Sequence, residues 1–196
     1  MSYEHRTLDA FLSAVASETV APAGGTSAAV VGAIGASLCE MTCLHTVGKD
    51  GDGDVAAELE EVADELATLR TRLLWLADAD AAAVSELLDV DVDADGQQTA
   101  ALKRSTGVPL AIAETCVAVL ESAATVTAKG TASARADAVC GAVFADAALR
   151  SAAFVVRTNL EHVEDASFAD EMERRLSGIE SEATAAFDRI DAALDR

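Results

Sequence analysis

Residues 55–88, VAAELEEVADELATLRTRLLWLADADAAAVSELL, carry apolar side chains at alternating steps of four and three: Val55, Leu59, Val62, Leu66, Leu69, Leu73 and Leu76. That rhythm keeps one face of an α-helix apolar over many turns. Leu74 and Trp75 widen the stripe. The next step is Asp80, an acid in a leucine's place. A carboxylate drawn into an apolar interface loses hydration, which raises its pKa and suits it to proton transfer near neutral pH. The alternative is that the helix leaves the core at this point and Asp80 is solvated. Asp78 falls off the stripe and reads as surface.

Outward from this segment the same helical periods recur, while proline occurs twice and alternating β-branched runs are scarce. The chain of 196 residues reads as one domain, 1–196, an all-α bundle of long antiparallel amphipathic helices. A first helix is expected over Thr7–Ser17, with Leu8, Phe11, Leu12 and Val15 on one face. A second starts at Thr26 or Ser27, either of which could cap it, and runs toward Thr46. Its small residues, Gly32 and Gly35 among them, let another backbone come close. Residues 47–54 read as a turn. DVDVDADGQQ, residues 89–98, imitates a calcium loop with Asp91, Asp93, Asp95 and Gly96, but Leu102 stands where a bidentate Glu is needed, so it reads as a solvated loop. A short helix over 99–105 is followed by Pro109, which starts another. Asp137–Leu160 forms a further helix, and a last one carries Phe168, Met172, Leu176, Ile179, Ala183, Phe187, Ile190 and Leu194.

The 34 acidic residues against 14 basic ones give a net charge of −20, with acids spread through every segment. Such a surface repels nucleic acid and anionic membrane, and it resembles proteins of a salt-rich cytoplasm, where ions screen self-repulsion. The four cysteines sit in apolar runs, and Cys39 and Cys43 with His45 lack zinc-finger spacing, so small buried thiols of a reduced compartment are expected rather than a metal site. The amino terminus carries charges throughout and has no secretion-signal core. The uncharged run Thr19–Cys39 has the length of a membrane span, yet it contains Pro22 and four glycines and lacks basic flanks, so it reads as a loop followed by a buried helix.

Two further groups of residues bear on chemistry. In APAGGTSAAVVGAIG, residues 21–35, consecutive glycines precede a helix whose free N–H groups suit a carboxylate or phosphate, although most such turns are only helix starts. Asp137, Arg157 and Asn159 are isolated polar residues within apolar helices, and Lys49 ends the second helix. Each also reads as a cap or surface residue. No Ser/His/Asp triad is placed among His5, His45 and His162.

Taken in order, PAGGTSAAVVGAIGASL, TVGKD, LLWLADADAAAV, VP and ARADAVCGAVFADAALRSAAFVVRTNL resemble the family of formiminotetrahydrofolate cyclodeaminase and methenyltetrahydrofolate cyclohydrolase, over about residues 5 to 165. The resemblance implies an all-helical homodimer acting on a tetrahydrofolate derivative, with or without a polyglutamate tail, needing no metal and no cofactor beyond that substrate. By the same resemblance Pro22, Gly24, Gly25 and Thr26 match the family's turn, Lys49 its lysine, Asp80 an acid of its site, and Asp137 and Asn159 its later polar positions. Arg157 and Lys49 are candidate partners for the folate's anionic tail. Ala23 stands where the family has glycine, Thr26 for serine, Asp50 for a basic residue and Val155 for asparagine. The implied activity is a cytoplasmic cyclohydrolase, favoured over a cyclodeaminase because no formiminotransferase segment accompanies the motifs. A non-catalytic folate-binding or assembly module is the third possibility.

Overall fold

The computed structural model describes residues 2–50, 53–90 and 95–195. Among these lie a 3-10 turn, Tyr3–His5, and six α-helices: α1 (Leu8–Val15), α2 (Gly24–Asp50), α3 (Gly53–Asp89), α4 (Asp95–Lys129), α5 (Arg135–Leu160) and α6 (Ala166–Leu194). The striped segment forms α3, which spans about 55 Å at 1.5 Å per residue. Leu59, Leu66, Leu73 and Leu76 are fully buried, while Val55, at the start of the stripe, is exposed.

Helix α2 packs between α3 and α5, α4 lies behind these helices, and α6 covers α4. Helix α2 runs antiparallel to α3 and α5, whereas α6 runs parallel to α4 in place of the expected antiparallel order, with Lys103 meeting Asp165 and Glu114 meeting Arg175. Thr26 meets Asp80, and Glu40 meets Arg70, which sets α2 against α3. Cys39 faces Ala138 and Thr42 faces Ala134 across α2 and α5. Glycine permits the second pairing: a Cβ on Gly35 would stand 2.6 Å from the Gly141 carbonyl oxygen. Any side chain there would push the two backbones apart.

Three further features of the fold differ from the sequence expectation. First, α2 starts at Gly24, so Thr26 lies inside the first turn, where its side chain turns to α3 instead of capping its own helix. The helix also runs on to Asp50, through part of the expected turn. Second, α2 is not buried all round: Ile34 is 44% and Leu44 59% exposed. Helices α2, α4 and α5 each have the length and apolar composition of a membrane span. Third, α4 does not break at Pro109, which lies within it. Asp91 and Asp93 of the calcium-like loop, and the side chain of Asp95, lie outside the described residues.

The unbroken α4 has a specific cause. Proline has no N–H, so Pro109 leaves the carbonyl four residues earlier, that of Ser105, without its helical partner. The Asn159 side-chain amide of α5 donates to that carbonyl at 2.8 Å. Ser105 is buried, so water does not replace this bond freely. Asn159→Ala is expected to cost about 1–3 kcal/mol by orphaning a buried carbonyl. In a Pro109→Ala background, which restores the backbone donor, the same substitution should cost much less. Denaturant unfolding of the four proteins of this cycle measures the difference, and equal costs in both backgrounds would reject the pairing.

Candidate active site

Asp80 faces inward from α3, 2% exposed, with Leu76, Ala77 and Ala83 buried beside it. Its Oδ2 accepts a hydrogen bond from Thr26 Oγ1 at 2.7 Å. The Thr26 backbone N–H donates to the same carboxyl. The acid therefore sits over the amino-terminal turn of α2, whose first N–H groups have no partner within the helix and whose dipole favours a negative charge. Gly25 makes room for it: a Cβ there would lie 2.8 Å from both Asp80 Cγ and Oδ2. The anion-binding potential of the glycine turn is thus met by the protein's own carboxylate, and the turn is the seat of Asp80.

Burial pushes the Asp80 pKa up, and the two hydrogen bonds from Thr26 pull it part of the way back, so it stays above the ordinary aspartate value. An acid whose folded pKa is raised is stabilising in its protonated form. That contribution is complete below the unfolded-state pKa and is lost as pH rises through the folded one. Asp80→Asn removes the titration. The variant's stability relative to the parent is therefore expected to rise as pH climbs from the unfolded-state aspartate pKa through the raised folded one and to level off above it, a trend that melting curves at several pH values would read. A constant difference would mean that Asp80 titrates as an ordinary aspartate.

Pro22, Gly24 and Gly25 complete this end of the bundle with Thr26. Pro22 is buried behind a cis peptide bond from Ala21, and Gly24 is exposed above the Thr26–Asp80 pair. On α5, Val155 lies against Gly24: a Cβ on that glycine would be 3.6 Å from Val155 Cγ2. The other predicted residues do not join them. Asn159, one turn beyond Val155, is committed to Ser105. The Arg157 guanidinium is held by Glu173 at 3.0 Å and Glu180 at 2.7 Å, which clasps α5 to α6 and raises its pKa further. Asp137 is exposed in the first turn of α5, about 27 Å along the helix from Val155. Lys49 falls in the last turn of α2, about 35 Å along the axis from Thr26, and its side chain lies outside the described residues.

Asp78, read as surface, has a partner in the structure. Its carboxyl accepts from the Ser2 hydroxyl at 2.5 Å and from the Tyr3 N–H at 2.8 Å. This pins the amino-terminal turn to α3. Tyr3 then meets Phe11 of α1 edge-on, with ring centroids 5.6 Å apart, and stacks under the Arg6 guanidinium. Burial raises the Tyr3 pKa, Arg6 opposes that, and Asp78 and Asp80 add to it. Nothing in the order of residues pairs position 2 or 3 with position 78, so sequence periodicity misses this contact.

Among the described residues no three His, Cys, Asp or Glu side chains cluster as a metal site. Cys39, Cys43 and Cys116 are buried, and desolvation pushes their thiols up to about 12, about 11 and about 12. Cys140 differs from the expectation in being exposed.

Comparison with known proteins matches residues 7–178 to the family model described as formiminotransferase-cyclodeaminase. The chain is 34% identical to a methenyltetrahydrofolate cyclohydrolase of Methylorubrum extorquens, over 95% of this chain and 94% of that protein. It is 28% identical to the formimidoyltransferase-cyclodeaminase of Sus scrofa, over 96% of this chain but only 37% of the longer protein. The crystal structure of formiminotetrahydrofolate cyclodeaminase from Thermotoga maritima superposes with a TM-score of 0.94 at 25% identity, covering 98% of this chain and 97% of that one.

Proposed function

The chain belongs to the formiminotransferase-cyclodeaminase family, and from that membership we propose that it is a folate one-carbon enzyme, hydrolysing 5,10-methenyltetrahydrofolate to 10-formyltetrahydrofolate. The observation that carries the chemistry is the buried Asp80 carboxylate seated on Gly25 and Thr26. The methenyl bridge is a cation shared between two nitrogens. A fixed carboxylate in an apolar, water-poor setting stabilises such a charge far better than solvent does. Water adds to the bridge carbon and loses a proton to Asp80. The adduct then breaks its bond to N5, N5 gains the proton of the adduct's hydroxyl, and Asp80 releases its own proton to solvent. A pKa above the ordinary range brings the base nearer to the working pH, which strengthens this step. Thr26 holds the carboxyl in one orientation through the reaction.

Hydrolysis is preferred to cyclodeamination because the relative named as a cyclohydrolase matches along almost its whole length. The second reading, in which N10 closes on a formimino carbon and ammonia leaves, is favoured by the likeness to the Thermotoga maritima cyclodeaminase. The two are separated in one cuvette. In high-salt buffer, enzyme-dependent loss of the near-ultraviolet methenyl absorbance indicates hydrolysis, and its appearance from the 5-formimino substrate indicates cyclodeamination. No change from either substrate rejects both. The proposal includes a homodimer working in a salt-rich cytoplasm, the setting that the −20 charge suits.

A further inference from the structure

We propose that Arg6 is a substrate-binding residue, its guanidinium lining a cleft beside Asp80 and receiving the carboxylates of the folate's glutamyl tail. The inference deepens the folate reading above and rests on it. The cations expected to meet that tail are unsuited to it: Arg157 is clasped by Glu173 and Glu180, and Lys49 lies about 35 Å along α2 from Thr26. An anionic tail approaching a chain of −20 needs a positive group where it lands.

Lys103 and Arg104, at the same end of the bundle as Asp80, are also committed, to Asp165 and Glu86. Arg6, by contrast, makes no ion pair among the described residues. Its guanidinium lies over the Tyr3 ring, 4.6 Å from the centroid. Stacking occupies the flat face of a guanidinium and leaves its edge, which carries the N–H donors, open to a carboxylate.

The cleft has a volume of about 400 Å³, within the roughly 300–1,000 Å³ of small-ligand sites. Tyr3 and Arg6 form one wall, and Asp78, Ala81 and Ser85, which share a face of α3, form the other. Two lining residues tie it to the candidate active site. Ala81 follows Asp80 in the chain, and Ala21 precedes the cis-linked Pro22 of the turn that seats Asp80. Tyr3 feels the charge of Asp80 as well as that of Asp78, which places the amino-terminal turn within electrostatic reach of the candidate base.

Asp80 points toward α2 and the cleft lies round the side of α3, so a bound substrate crosses that helix. Ala81 and Ala82 present only methyl groups there. A helix with its side chains is about 10 Å across, and the aminobenzoyl ring and amide between the one-carbon bridge and the first glutamyl carboxylates are of comparable length. The other polar groups of the cleft have partners. Ser85 donates to the Ala81 carbonyl, and Asp78 accepts from Ser2 and Tyr3, which fixes the turn that carries Arg6. The Arg6 edge is the donor left for a ligand.

The test is titration calorimetry of the full chain with 5-formyltetrahydrofolate and with 5-formyltetrahydropteroate, which lacks the glutamate, at the lowest salt that keeps the helical signal complete. The parent should bind the glutamyl compound about tenfold more tightly. Arg6→Gln should lose that preference and keep the parent's affinity for the pteroate, and Arg6→Lys, which retains the charge without the fork, should recover part of it. In the parent the preference should shrink as salt is raised, while pteroate binding changes little. An Arg6→Gln variant that weakens both compounds alike would make Arg6 a clamp on the turn and overturn the proposal. A parent that binds both compounds equally, or neither, overturns it too. The absorbance assay judges the enzyme reading separately: turnover of methenyltetrahydrofolate by a parent with no glutamyl preference leaves that reading standing and removes only the Arg6 subsite.

Discussion

Asp80→Asn should lower the rate of methenyltetrahydrofolate hydrolysis by about a thousandfold, within the range general-base catalysis supplies. The side chain keeps its size, and its amide oxygen still accepts from Thr26, so the amino-terminal turn of α2 keeps its cap. What disappears is the negative charge and the site for a proton. The structural alternative is that Asp80 does no more than cap α2. Under that alternative the asparagine, which serves as a cap too, would leave turnover intact. Activity and far-ultraviolet circular dichroism measured on one preparation separate the two roles. A variant that is folded and inactive supports the base, and a variant that is folded and fully active rejects it.

The second large effect is expected at Gly25. An alanine Cβ there would sit 2.8 Å from Asp80 Cγ and Oδ2, a separation that real Cβ atoms do not tolerate. The atoms in its way belong to a short, hydrogen-bonded side chain in a packed interior, so relief requires the carboxyl to leave Thr26 or α3 to shift from α2. Overpacking of this kind costs about 1–3 kcal/mol. Displacing a catalytic group by about 1 Å costs on the order of a hundredfold in rate. Gly25→Ala is therefore expected to lose both stability and activity. Gly178 in α6 is the control, since a Cβ there meets nothing within 4 Å. Alanine at that position should stabilise the helix by up to about 1 kcal/mol and leave the rate unchanged. Kinetics and denaturant unfolding of both variants read the contrast.

Much of the bundle was legible because helical spacing is local information. The rhythm from Val55 to Leu76 needs only its own segment to declare a face, and Asp80 stood out as its one polar step. The glycine turn was also visible, but its meaning was not. A Gly-Gly step before a helix looks the same whether it awaits a ligand or accepts a carboxylate from 54 residues away. Pro109 misled for a similar reason. Its usual effect is to start or end a helix, and the compensating donor, Asn159, belongs to a different helix. Arg157 read as a cation free for substrate because Glu173 and Glu180 lie on the next helix, α6. The small residues of α2 correctly announced a close neighbour, Gly141 of α5, yet they could not say that Ile34 and Leu44 of the same helix would be left exposed. Contacts set by tertiary packing have no signature in the order of residues.

The central claim is that Asp80 is a desolvated carboxylate able to engage a cationic one-carbon bridge. Carbon-13 NMR titration of the aspartate carboxyls, with the Asp80 signal assigned by its loss in Asp80→Asn, tests it directly. The account predicts a midpoint above the ordinary 3.8, displaced further when a cationic methenyl substrate analogue is bound. A signal that titrates at the ordinary value and does not respond to that analogue would contradict it.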